Sequence, residues 1–576
     1  MQNKIAWWFF GVSIVIATVL RIVVPWNVVF RAGQVVFTEV DPYYFMNIAD
    51  KIIKHPQIGA DPFSQIISIL SFGNIEWVDT VGAFLPAVCG VLLVVPVFFM
   101  AKKLFGMWAG VAGALFVATI QGDVLARTSL GFTDHHCLEI LLPVSVMCCI
   151  VYAVKKNFHF TWLAGLLLGL YACTWKGAPI FELMLCVYII VQSIINHFKR
   201  DGDDKIYWIM FGTNFVALCM FFLWGVYLPW SAYIFTLVIS TALPVVLYGL
   251  VKLTTGLKVR IYLICLVEIG MAIGAAIYSI APDIFRIITE GMQVILISGE
   301  GYKLSSATEE QYMSFQMLWN NLGMISVFGL IGLMLLFVKE DIKDSGIVLL
   351  IIWGITVIFL SVMMRRFMVY LAPVMCITCA YIVVKLVMMQ IKDKKEEFKV
   401  VMISCAVVFC CAFMVVPNSI ASVKQNSSIG FAPSTAWIKA CDWLKHDDSG
   451  YIREYSKVLS WWDYGYWIIR MGQKDVVCNP GGGRRNEVAL CLMSIDEDSA
   501  MVVIKKFKVR YIVMDYTMVG LKWSVIEAQA GLIANVNDCF AGQLWDSDKL
   551  GQWVKVWESG EKYNKDAQVK IFELQE

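Results

Sequence analysis

Charged residues are scarce in this chain. Asp, Glu, Lys and Arg make up 16% of its 576 residues, against about 25% in ordinary soluble domains. Hydrophobic residues make up 59% and the mean hydropathy is +0.69, which excludes a chain that is soluble and globular throughout. A basic excess is also lacking, because 47 Lys and Arg face 45 Asp and Glu. We therefore expect no nucleic-acid partner, since nothing would neutralise a phosphate backbone.

Internal repeats and zinc-type cysteine pairs are missing as well. No repeat of fixed period is visible, and the one low-complexity segment is the glycine-rich loop at 481–485. Most of the 17 cysteines lie in apolar stretches, where Cys packs as a small hydrophobe. The tail holds Cys441, Cys478, Cys491 and Cys539 without Cys-x-x-Cys spacing. These four permit three disulfide pairings, among which the sequence does not choose.

Long apolar stretches are abundant instead. A helix that spans a bilayer needs about 20 mostly apolar residues. Thirteen stretches meet this criterion, near residues 6–27, 79–100, 108–126, 137–154, 160–180, 182–197, 206–227, 231–251, 261–281, 318–338, 346–362, 367–389 and 399–417. The first is too long for a signal peptide and lacks a small-residue cleavage site, so we interpret it as a retained helix. The sequence predicts a multi-span α-helical membrane protein.

Lysine and arginine predict the orientation, because short cytoplasmic loops are enriched in both. With a cytoplasmic N-terminus, the positive residues cluster in alternate loops, at 102–103, 155–156, 199–205, 252–260, 339–343 and 392–399. An odd number of spans then places the tail outside the cell. We therefore expect a protein of the cell membrane with an extracellular C-terminal domain.

The domain organisation follows from these spans. We expect a transmembrane domain at 1–417 with long external loops at 28–78 and 282–317, and long loops in compact proteins are usually functional. The tail at 418–576 carries more charge, and strand-like runs such as 511–514 stand beside helical ones. Its length suits one small domain, which we predict to be an external domain of mixed α/β structure.

Acidic and imidazole side chains form three clusters at the external ends of apolar stretches. The clusters contain Asp41, then Asp134 with His136, then Glu309. Alone, each has an ordinary explanation; Asp41-Pro42, for example, is typical of a helix start. Because all three lie on one face, we predict a shared site for a hard cation such as Mn²⁺ or Mg²⁺. Its predicted ligands are Asp41, Asp134, His136 and Glu309.

Arg365 and Arg366 follow the eleventh stretch on the same external face. Positive charge there runs against the cytoplasmic bias of membrane proteins. Binding of a phosphate or pyrophosphate explains it, because a guanidinium offers a planar fork that matches phosphate oxygens. Snorkelling of both side chains at the interface is the open alternative.

The tail contains Trp461-Trp462-Asp463-Tyr464-Gly465. This run resembles the WWDYG signature of the catalytic subunit of oligosaccharyltransferase, the enzyme that glycosylates asparagine in Asn-x-Ser/Thr sequons. About thirteen spans followed by an external domain are similar to the glycosyltransferase C architecture of the single-subunit archaeal and bacterial members. A pair of tryptophans in a core strand is the alternative explanation of the motif.

The resemblance extends to the acidic clusters. Asp41 matches the carboxylate of the family's first external loop. Asp134 and His136 resemble the Asp-x-His motif of archaeal members, and Ser306-Ala307-Thr308-Glu309 resembles the loop that carries the family's glutamate. By this resemblance Asp41 and Glu309 are catalytic as well as metal-binding.

Three further positions are carried over in the same way. Arg127 stands where the family has an arginine and is implied to be catalytic. Arg366 before Phe367 resembles the arginine that holds the lipid-linked phosphate. The family's Asp-x-x-Lys-x-x-x-Met/Ile pattern is only partly kept, by Lys522 and Ile526 with Val519 at the Asp position. Ile526 is therefore expected to contact the sequon threonine, and a pocket role for Lys522 stays open.

The resemblance implies a complete reaction. A glycan moves from a polyprenyl phosphate or pyrophosphate to the sequon asparagine, with inversion and with Mn²⁺ or Mg²⁺ as cofactor. Trp461, Trp462 and Asp463 would bind the sequon hydroxyl, because a site built to pair with a hydroxyl rejects analogues that lack it. The expected partners are the lipid-linked oligosaccharide, an acceptor protein and the membrane, and we expect a single-subunit enzyme.

Two other functions stay open from the residues alone. A related membrane O-glycosyl or lipid A sugar transferase would share Asp41 but has no use for the 461–465 motif. A secondary transporter would show charges at mid-membrane and inverted repeats, which this sequence does not. Bacterial oligosaccharyltransferases that demand an acidic residue two positions before Asn carry an arginine after the loop glutamate. The stretch 313–323 contains none, so we expect no such demand here.

Overall fold

The structure, a computed structural model, divides into two compact units. It describes residues 2–31, 34–56, 61–175, 177–199, 204–225, 231–280, 312–339, 344–391, 396–428, 432–447, 456–559 and 568–575, with a few positions between 282 and 289. The first unit contains residues 1–27 and 52–429, and the second contains residues 28–51 and 430–576. This division differs from the predicted boundary at 417, because part of the first long loop packs with the tail.

The first unit is helical. Its helices lie at Gln2–Thr18, Val19–Val23, Trp26–Val29, Pro62–Leu70, Ile75–Leu92, Val94–Phe105, Met107–Ala118, Asp123–Arg127, His136–Lys155, Phe160–Thr174, Ala178–Lys199, Lys205–Gly225, Ser231–Leu253, Val259–Ile280, Phe315–Leu322, Met324–Lys339, Ser345–Met363, Arg365–Phe367, Met368–Ile391, Glu396–Cys410, Cys411–Val415 and Val416–Ser427. In the described part of the chain, ten helical segments are long and apolar enough to span a membrane, or eleven if the bent pair at 315–338 is one span. Two shorter apolar helices, Met107–Ala118 and Phe160–Thr174, complete the set. Each predicted apolar stretch thus coincides with a helix, and the number that cross the membrane stays a prediction.

The buried Arg21 accounts for the end of the short helix Met107–Ala118. Its guanidinium donates hydrogen bonds to the carbonyl oxygens of Ala118 at 2.9 Å and Val117 at 3.3 Å. It also donates to Thr128 Oγ1 at 3.1 Å. The last carbonyls of a helix have no donor within the helix, so this cation satisfies them and holds the following loop.

The helix Val416–Ser427 fastens that loop, which runs from 119 to 135. Gln425 exchanges two hydrogen bonds with the backbone of Gly122, at 2.8 and 2.9 Å. Asn426 Nδ2 donates to Ser129 Oγ at 2.8 Å, and Thr133 Oγ1 donates to the carbonyl of Gly82 at 2.9 Å. Buried hydrogen bonds of this kind give the loop one conformation before it reaches Asp134.

The second unit is built around a five-stranded mixed sheet. In spatial order the strands are Lys457–Leu459, Val509–Asp515, Val569–Leu574, Trp553–Glu558 and Lys549–Leu550. The first two run parallel and the other neighbours run antiparallel. Its helices lie at Thr435–His446, Trp462–Tyr464, Gly465–Arg470, Arg485–Leu492, Glu497–Phe507, Tyr516–Val519, Trp523–Ala530, Val536–Asp538 and Phe540–Trp545. The predicted mixed α/β fold of the tail is confirmed, and all four tail cysteines are buried free thiols.

The segment at 28–51 belongs to this second unit. Phe30–Arg31 pairs antiparallel with Gln34–Val35, and a helix at Asp41–Lys54 starts where Asp41-Pro42 predicts it. The backbone N–H of Ala432 donates to the carbonyl of Phe37 at 3.0 Å, and Tyr43 Oη donates to the carbonyl of Ala432 at 3.0 Å. These bonds attach the segment to the tail.

Candidate functional site

Asp134, His135 and His136 form a compact polar cluster in the first unit, at the N-terminus of the helix His136–Lys155. Glu139 lies in the first turn of that helix, where the exposed backbone N–H groups and the helix dipole favour negative charge. His136 Nδ1 lies 3.2 Å from Glu139 Oε1, and its Nε2 lies 3.5 Å from Asp134 Oδ2. The imidazole therefore stands between two carboxylates.

His135 also bridges both carboxylates. Its Nε2 lies 2.8 Å from Glu139 Oε1, and its Nδ1 contacts Asp134 Oδ1. The rings of His135 and His136 stack with centroids 4.8 Å apart. Glu139 is only 2% exposed, and its Oε2 accepts a hydrogen bond from Tyr370 Oη at 2.8 Å. The four residues thus form one ionic network that Tyr370 anchors to a distant helix.

This network shifts the pKa values of Asp134 and His135. Burial raises the pKa of Asp134, but the charges of His136 and His135 outweigh burial and hold that pKa below its usual range. Burial lowers the pKa of His135, and contact with the carboxylates of Asp134 and Glu139 raises it well above the usual value. Contact with the two carboxylates thus favours the protonated form of His135.

The donor set suits a divalent metal. One ligand atom from each of Asp134, His135 and His136 lies within 4.8 Å of the others. Carboxylate and imidazole together suit Mn²⁺ and Zn²⁺, and a ligating imidazole commonly donates its second N–H to a carboxylate, as Glu139 would allow here. Asp134 and His136 are thus brought together, as predicted.

Asp61 is a neighbour of this cluster that the sequence interpretation missed. It caps the helix Pro62–Leu70 by accepting a hydrogen bond from the N–H of Ser64 at 2.7 Å. Burial raises the pKa of Asp61, and the charges of His135 and Asp134 are among the further influences. Asp61-Pro62 repeats the pattern of Asp41-Pro42, which was the available signal.

The two predicted phosphate-binding arginines have different surroundings. Arg365 forms an ion pair with Asp123, with Nη2 3.1 Å from Oδ1. The Arg366 guanidinium lies over the ring of Trp175, 5.3 Å from its centroid. Trp175 in turn packs 5.9 Å from Tyr370, the residue that holds Glu139. Arg366 is therefore the arginine connected with the Asp134 cluster, and Arg365 is held beside Asp123.

An apolar pocket of about 340 Å³, counting its open mouth, adjoins Trp175 and Tyr370. Its wall comes from five helical segments of the first unit, and the lining residues are Tyr171, Trp175, Ile180, Phe181, Met184, Trp353, Thr356, Val357, Leu360, Phe367 and Tyr370. Its lining is apolar, and the guanidinium of Arg366 contacts Trp175, one of the lining residues. Such a site is suited to an apolar chain that ends in an anion.

The structure describes two of the three predicted catalytic residues. Asp41 is exposed at the start of its helix in the second unit. Arg127 is 7% exposed in the helix Asp123–Arg127 of the first unit. Glu309 lies outside the described residues. Of the four predicted metal ligands, Asp134 and His136 are therefore the pair whose ligand atoms the structure brings together.

The tail motif lies at one edge of the mixed sheet. Two neighbouring strands, Lys457–Leu459 and Val509–Asp515, run parallel, so their carboxyl ends meet where α/β proteins commonly bind ligands. Asp463 follows the first strand and Lys522 follows the second. Lys522 Nζ lies 2.5 Å from Asp463 Oδ2 and donates to Tyr464 Oη at 2.8 Å. The structure thus places Lys522, a residue left open above, in contact with the motif.

A chain of hydrogen bonds links Tyr464, which contacts Lys522 of the Asp463–Lys522 pair, to residues behind the motif. Tyr464 Oη and Thr517 Oγ1 are 2.9 Å apart, and Thr517 donates to Asp515 Oδ1 at 2.7 Å. Asp515 Oδ2 accepts from Trp437 Nε1 at 2.9 Å. Asp515 therefore supplies a carboxylate beneath the pocket, although Val519 occupies the position where the family pattern has Asp.

The predicted acceptor residues differ in accessibility. Trp462 and Asp463 are partly exposed, and Arg485 covers the Trp462 ring at 4.1 Å from its centroid. Trp461 is 1% exposed and Ile526 is fully buried. In this conformation Trp462, Asp463 and Lys522 form the accessible surface, and Trp461 and Ile526 pack behind it.

Known proteins share both the sequence pattern and this fold. The model for the N-terminal region of the oligosaccharyl transferase STT3 matches residues 63–423, and the model for the AglB core domain matches residues 448–519. Dolichyl-phosphooligosaccharide-protein glycotransferase 3 of Archaeoglobus fulgidus is 22% identical in an alignment 630 positions long. The alignment covers 90% of this chain and 71% of the relative.

Two solved structures from the same organism share the fold. The archaeal oligosaccharyltransferase AglB in complex with an inhibitory peptide and a dolichol-phosphate superimposes with a TM-score of 0.85 at 19% identity, covering 97% of this chain and 80% of that chain. The oligosaccharyltransferase complex with Zn and sulfate has a TM-score of 0.73 at 20% identity, covering 96% and 79%. Because the STT3 model alone matches more than half of the residues, the chain belongs to the STT3 family of oligosaccharyltransferases, which are membrane glycosyltransferases that transfer glycans to protein.

Proposed function

We propose that this chain transfers an oligosaccharide from a polyprenyl phosphate or pyrophosphate to the asparagine of Asn-x-Ser/Thr sequons, with inversion of the anomeric centre. The observation that carries the proposal is the Asp463–Lys522 pair, partly exposed beside Trp462 at the carboxyl ends of two parallel strands. An accessible acceptor and donor of hydrogen bonds beside an indole are what a hydroxyl and its neighbouring backbone require.

Donor binding is assigned to the first unit. The pocket beside Trp175 offers an apolar surface to a prenyl chain, and Arg366 over Trp175 offers fixed positive charge for the phosphate. The dolichol-phosphate bound by the A. fulgidus relative is a ligand of the same chemistry. Arg366 and Arg365 are the proposed phosphate-binding residues, and Arg127 is proposed to assist from its buried position.

Asp41, Asp134, His136 and Glu309 are proposed to hold one Mn²⁺ or Mg²⁺ ion. The described part of this set fits a cation, because the ligand atoms of Asp134 and His136 converge in a buried, ionic surrounding. The sulfate complex of the relative contains Zn, a metal with an overlapping ligand preference. When bound, the ion supplies Lewis-acid stabilisation of the leaving phosphate oxygens.

Asp41 and Glu309 are proposed to activate the acceptor. The carboxamide nitrogen is a poor nucleophile because its lone pair is delocalised into the carbonyl. Two carboxylates that accept hydrogen bonds from its N–H groups orient the nitrogen and oppose that delocalisation. Asp41 is exposed at the start of its helix.

The test is an in vitro transfer assay with purified full-length protein, lipid-linked oligosaccharide and a fluorescent Asn-x-Thr peptide. We expect a glycopeptide product whose formation stops in excess EDTA and resumes with Mn²⁺ or Mg²⁺. Asp41→Asn is expected to abolish transfer in folded protein. A Gln-x-Thr peptide serves as the matched control. Transfer to lipid or to a serine hydroxyl in place of asparagine would instead identify one of the related sugar transferases.

We also propose that the N-terminus is cytoplasmic, that the second unit is extracellular and that the chain acts as a single subunit. The distribution of Lys and Arg among the short loops supports the orientation. Protease protection in oriented vesicles tests it. In vesicles whose extracellular face points outward, a second unit that is cleaved only after the membrane is permeabilised would contradict the assignment.

A further inference from the structure

Two short helices of the second unit each begin beside a residue of the proposed chemistry. Asp41 starts the helix Asp41–Lys54, and Asp463 lies two residues before the helix Gly465–Arg470. Tyr44 stands one turn after Asp41, and Tyr466 stands three residues after Asp463. The rings of Tyr44 and Tyr466 are in contact, with centroids 5.1 Å apart at an interplanar angle of 36°.

A second contact joins the same two helices further along. Arg470 Nη1 lies 3.0 Å from Asp50 Oδ2, and the two side chains are only 12% and 20% exposed. Tyr44 and Asp50 are separated by six residues, or about 9 Å along a helix. Two contacts this far apart fix the mutual orientation of the helices as well as their distance.

The charge of Asp41 also acts on Tyr466, a member of this junction. Burial raises the pKa of Tyr466 to about 12, and the neighbouring Tyr44 and the charge of Asp41 add to the shift. The hydrogen bonds of Phe37 and Tyr43 to Ala432 hold the start of the segment to the same unit. The junction is therefore part of a connected structure.

We infer that the Tyr44–Tyr466 contact and the Asp50–Arg470 ion pair, together called the brace, set the distance between the Asp41 carboxylate and the Asp463 pocket. The inference rests on the proposed function, in which Asp41 meets the acceptor amide and Asp463 meets the hydroxyl two residues later. Two residues of extended chain span at most about 7 Å. The brace then makes the enzyme select the spacing of the sequon in addition to its two side chains.

The four brace residues are positioning residues, because they touch neither the amide nor the hydroxyl in this scheme. Loosening the brace leaves the pocket intact, so peptide affinity is kept. It misplaces the amide relative to the reacting centre, and a displacement of about 1 Å can lower a rate about a hundredfold. Loss of the brace therefore acts on kcat and on spacing selectivity.

The experiment compares Tyr44→Ala with Tyr44→Phe, and the charge reversals Asp50→Arg and Arg470→Asp with their double variant, all in the full-length protein. The readouts are peptide Kd, kcat, and the ratio of transfer to Asn-x-Thr over Asn-x-x-Thr peptides. We expect Tyr44→Ala and each single reversal to lower kcat at least tenfold and to lower the spacing ratio, with Kd changed less than twofold. Tyr44→Phe and the double reversal are expected to restore both.

Other outcomes overturn the inference. Folded single variants with wild-type kcat and spacing ratio would show that the brace does not position Asp41. A loss of kcat that comes with an equal loss of peptide affinity and of thermal stability would show a purely structural role. Failure of the proposed function itself is separate, since it would appear as unchanged peptide affinity in Asp463→Ala or as no transfer by the wild type.

Discussion

Asp463 is partly exposed and forms an ion pair with Lys522, at 2.5 Å. We expect Asp463→Ala to weaken binding of an Asn-x-Thr peptide by roughly ten- to a hundred-and-fifty-fold, because losing a hydrogen bond to a charged group costs about 1.5–3 kcal/mol. Affinity for the lipid donor is expected to stay unchanged. Peptide and donor titrations of the folded variant measure both.

The matched control for this substitution is Asp442→Ala. Asp442 is also an ion-paired aspartate of the second unit, with His446 at 3.3 Å, but both side chains are about two-thirds exposed. We expect it to leave peptide affinity within twofold. An Asp463→Ala protein that binds peptide like the wild type would make the motif structural, as a core tryptophan pair would be.

Glu139 is the second residue whose environment predicts a measurable effect. Its Oε1 faces His136 and its Oε2 accepts from Tyr370. Partners that orient a ligating imidazole commonly contribute about 10–100-fold to metal affinity. We expect Glu139→Gln to weaken Mn²⁺ binding within that range and Tyr370→Phe to weaken it less, as measured by calorimetric titration of the full-length protein.

Glu76→Gln provides the comparison, because Glu76 lies in the exposed first turn of the helix Ile75–Leu92. It is expected to keep wild-type affinity for Mn²⁺. Equal Mn²⁺ affinity in Glu139→Gln and the wild type would mean that the Glu139 carboxylate does not orient His136.

At the residue scale, the sequence indicated which residues belong to the candidate sites, but it did not indicate most of the contacts between them. Asp-x-His spacing brought Asp134 and His136 together because two positions apart in one loop is already close. The contacts of Lys522 and Tyr370 could not be predicted, because only the fold brings each residue to its partner. Lys522 is 59 residues from Asp463, and Tyr370 is 231 residues from Glu139. A sequence motif also does not show that Ile526 is buried.

At the scale of elements, apolar length located the helices and could not locate their breaks. The stretch at 318–338 was predicted as one span, yet the helices Phe315–Leu322 and Met324–Val338 meet at an angle of 103°. Gly323 joins them with φ +55° and ψ −138°, a conformation that favours glycine. The strand-like run at 511–514 was correctly predicted, and the strand extends over Val509–Asp515. Its parallel partner could not be inferred, because strand order depends on the whole domain.

Gly323→Ala tests the break. A Cβ there would be strained by the positive φ and would lie 2.9 Å from Asn418 Oδ1. We expect a loss of about 1–3 kcal/mol in the stability of the membrane domain, measured by thermal unfolding in detergent. Gly249→Ala is the control, since a Cβ at this helical position meets no atom within 4 Å. It is expected to be neutral or slightly stabilising, and equal melting temperatures of the two variants would contradict the prediction.

At the scale of the whole molecule, family and class were predictable and the division into units was not. The length and number of apolar stretches required a membrane protein, and one five-residue motif indicated the family that the comparisons confirm. Nothing in the sequence shows that residues 28–51 pack with a tail that begins about 380 residues later. The hydrogen bonds between Phe37, Tyr43 and Ala432 that attach them involve backbone atoms, which no residue pattern encodes.

The breadth of acceptor selection is also a property of the whole molecule. Residues 312–338 contain no Lys or Arg, including the exposed face of the helix Phe315–Leu322 that carries Gln316 and Asn320. This stretch therefore has no arginine like the one found in bacterial family members that demand an acidic residue two positions before the acceptor asparagine. An acidic side chain two positions before the acceptor asparagine gains no ion pair from it. We expect kcat/KM for peptides with Asp, Ala or Lys at that position to differ less than tenfold, or about 1.4 kcal/mol. Measuring the series at low and high salt separates a specific contact from long-range attraction, because salt screens exposed charges. A preference for Asp above tenfold that persists at high salt would require a cation elsewhere in the chain to contact this position.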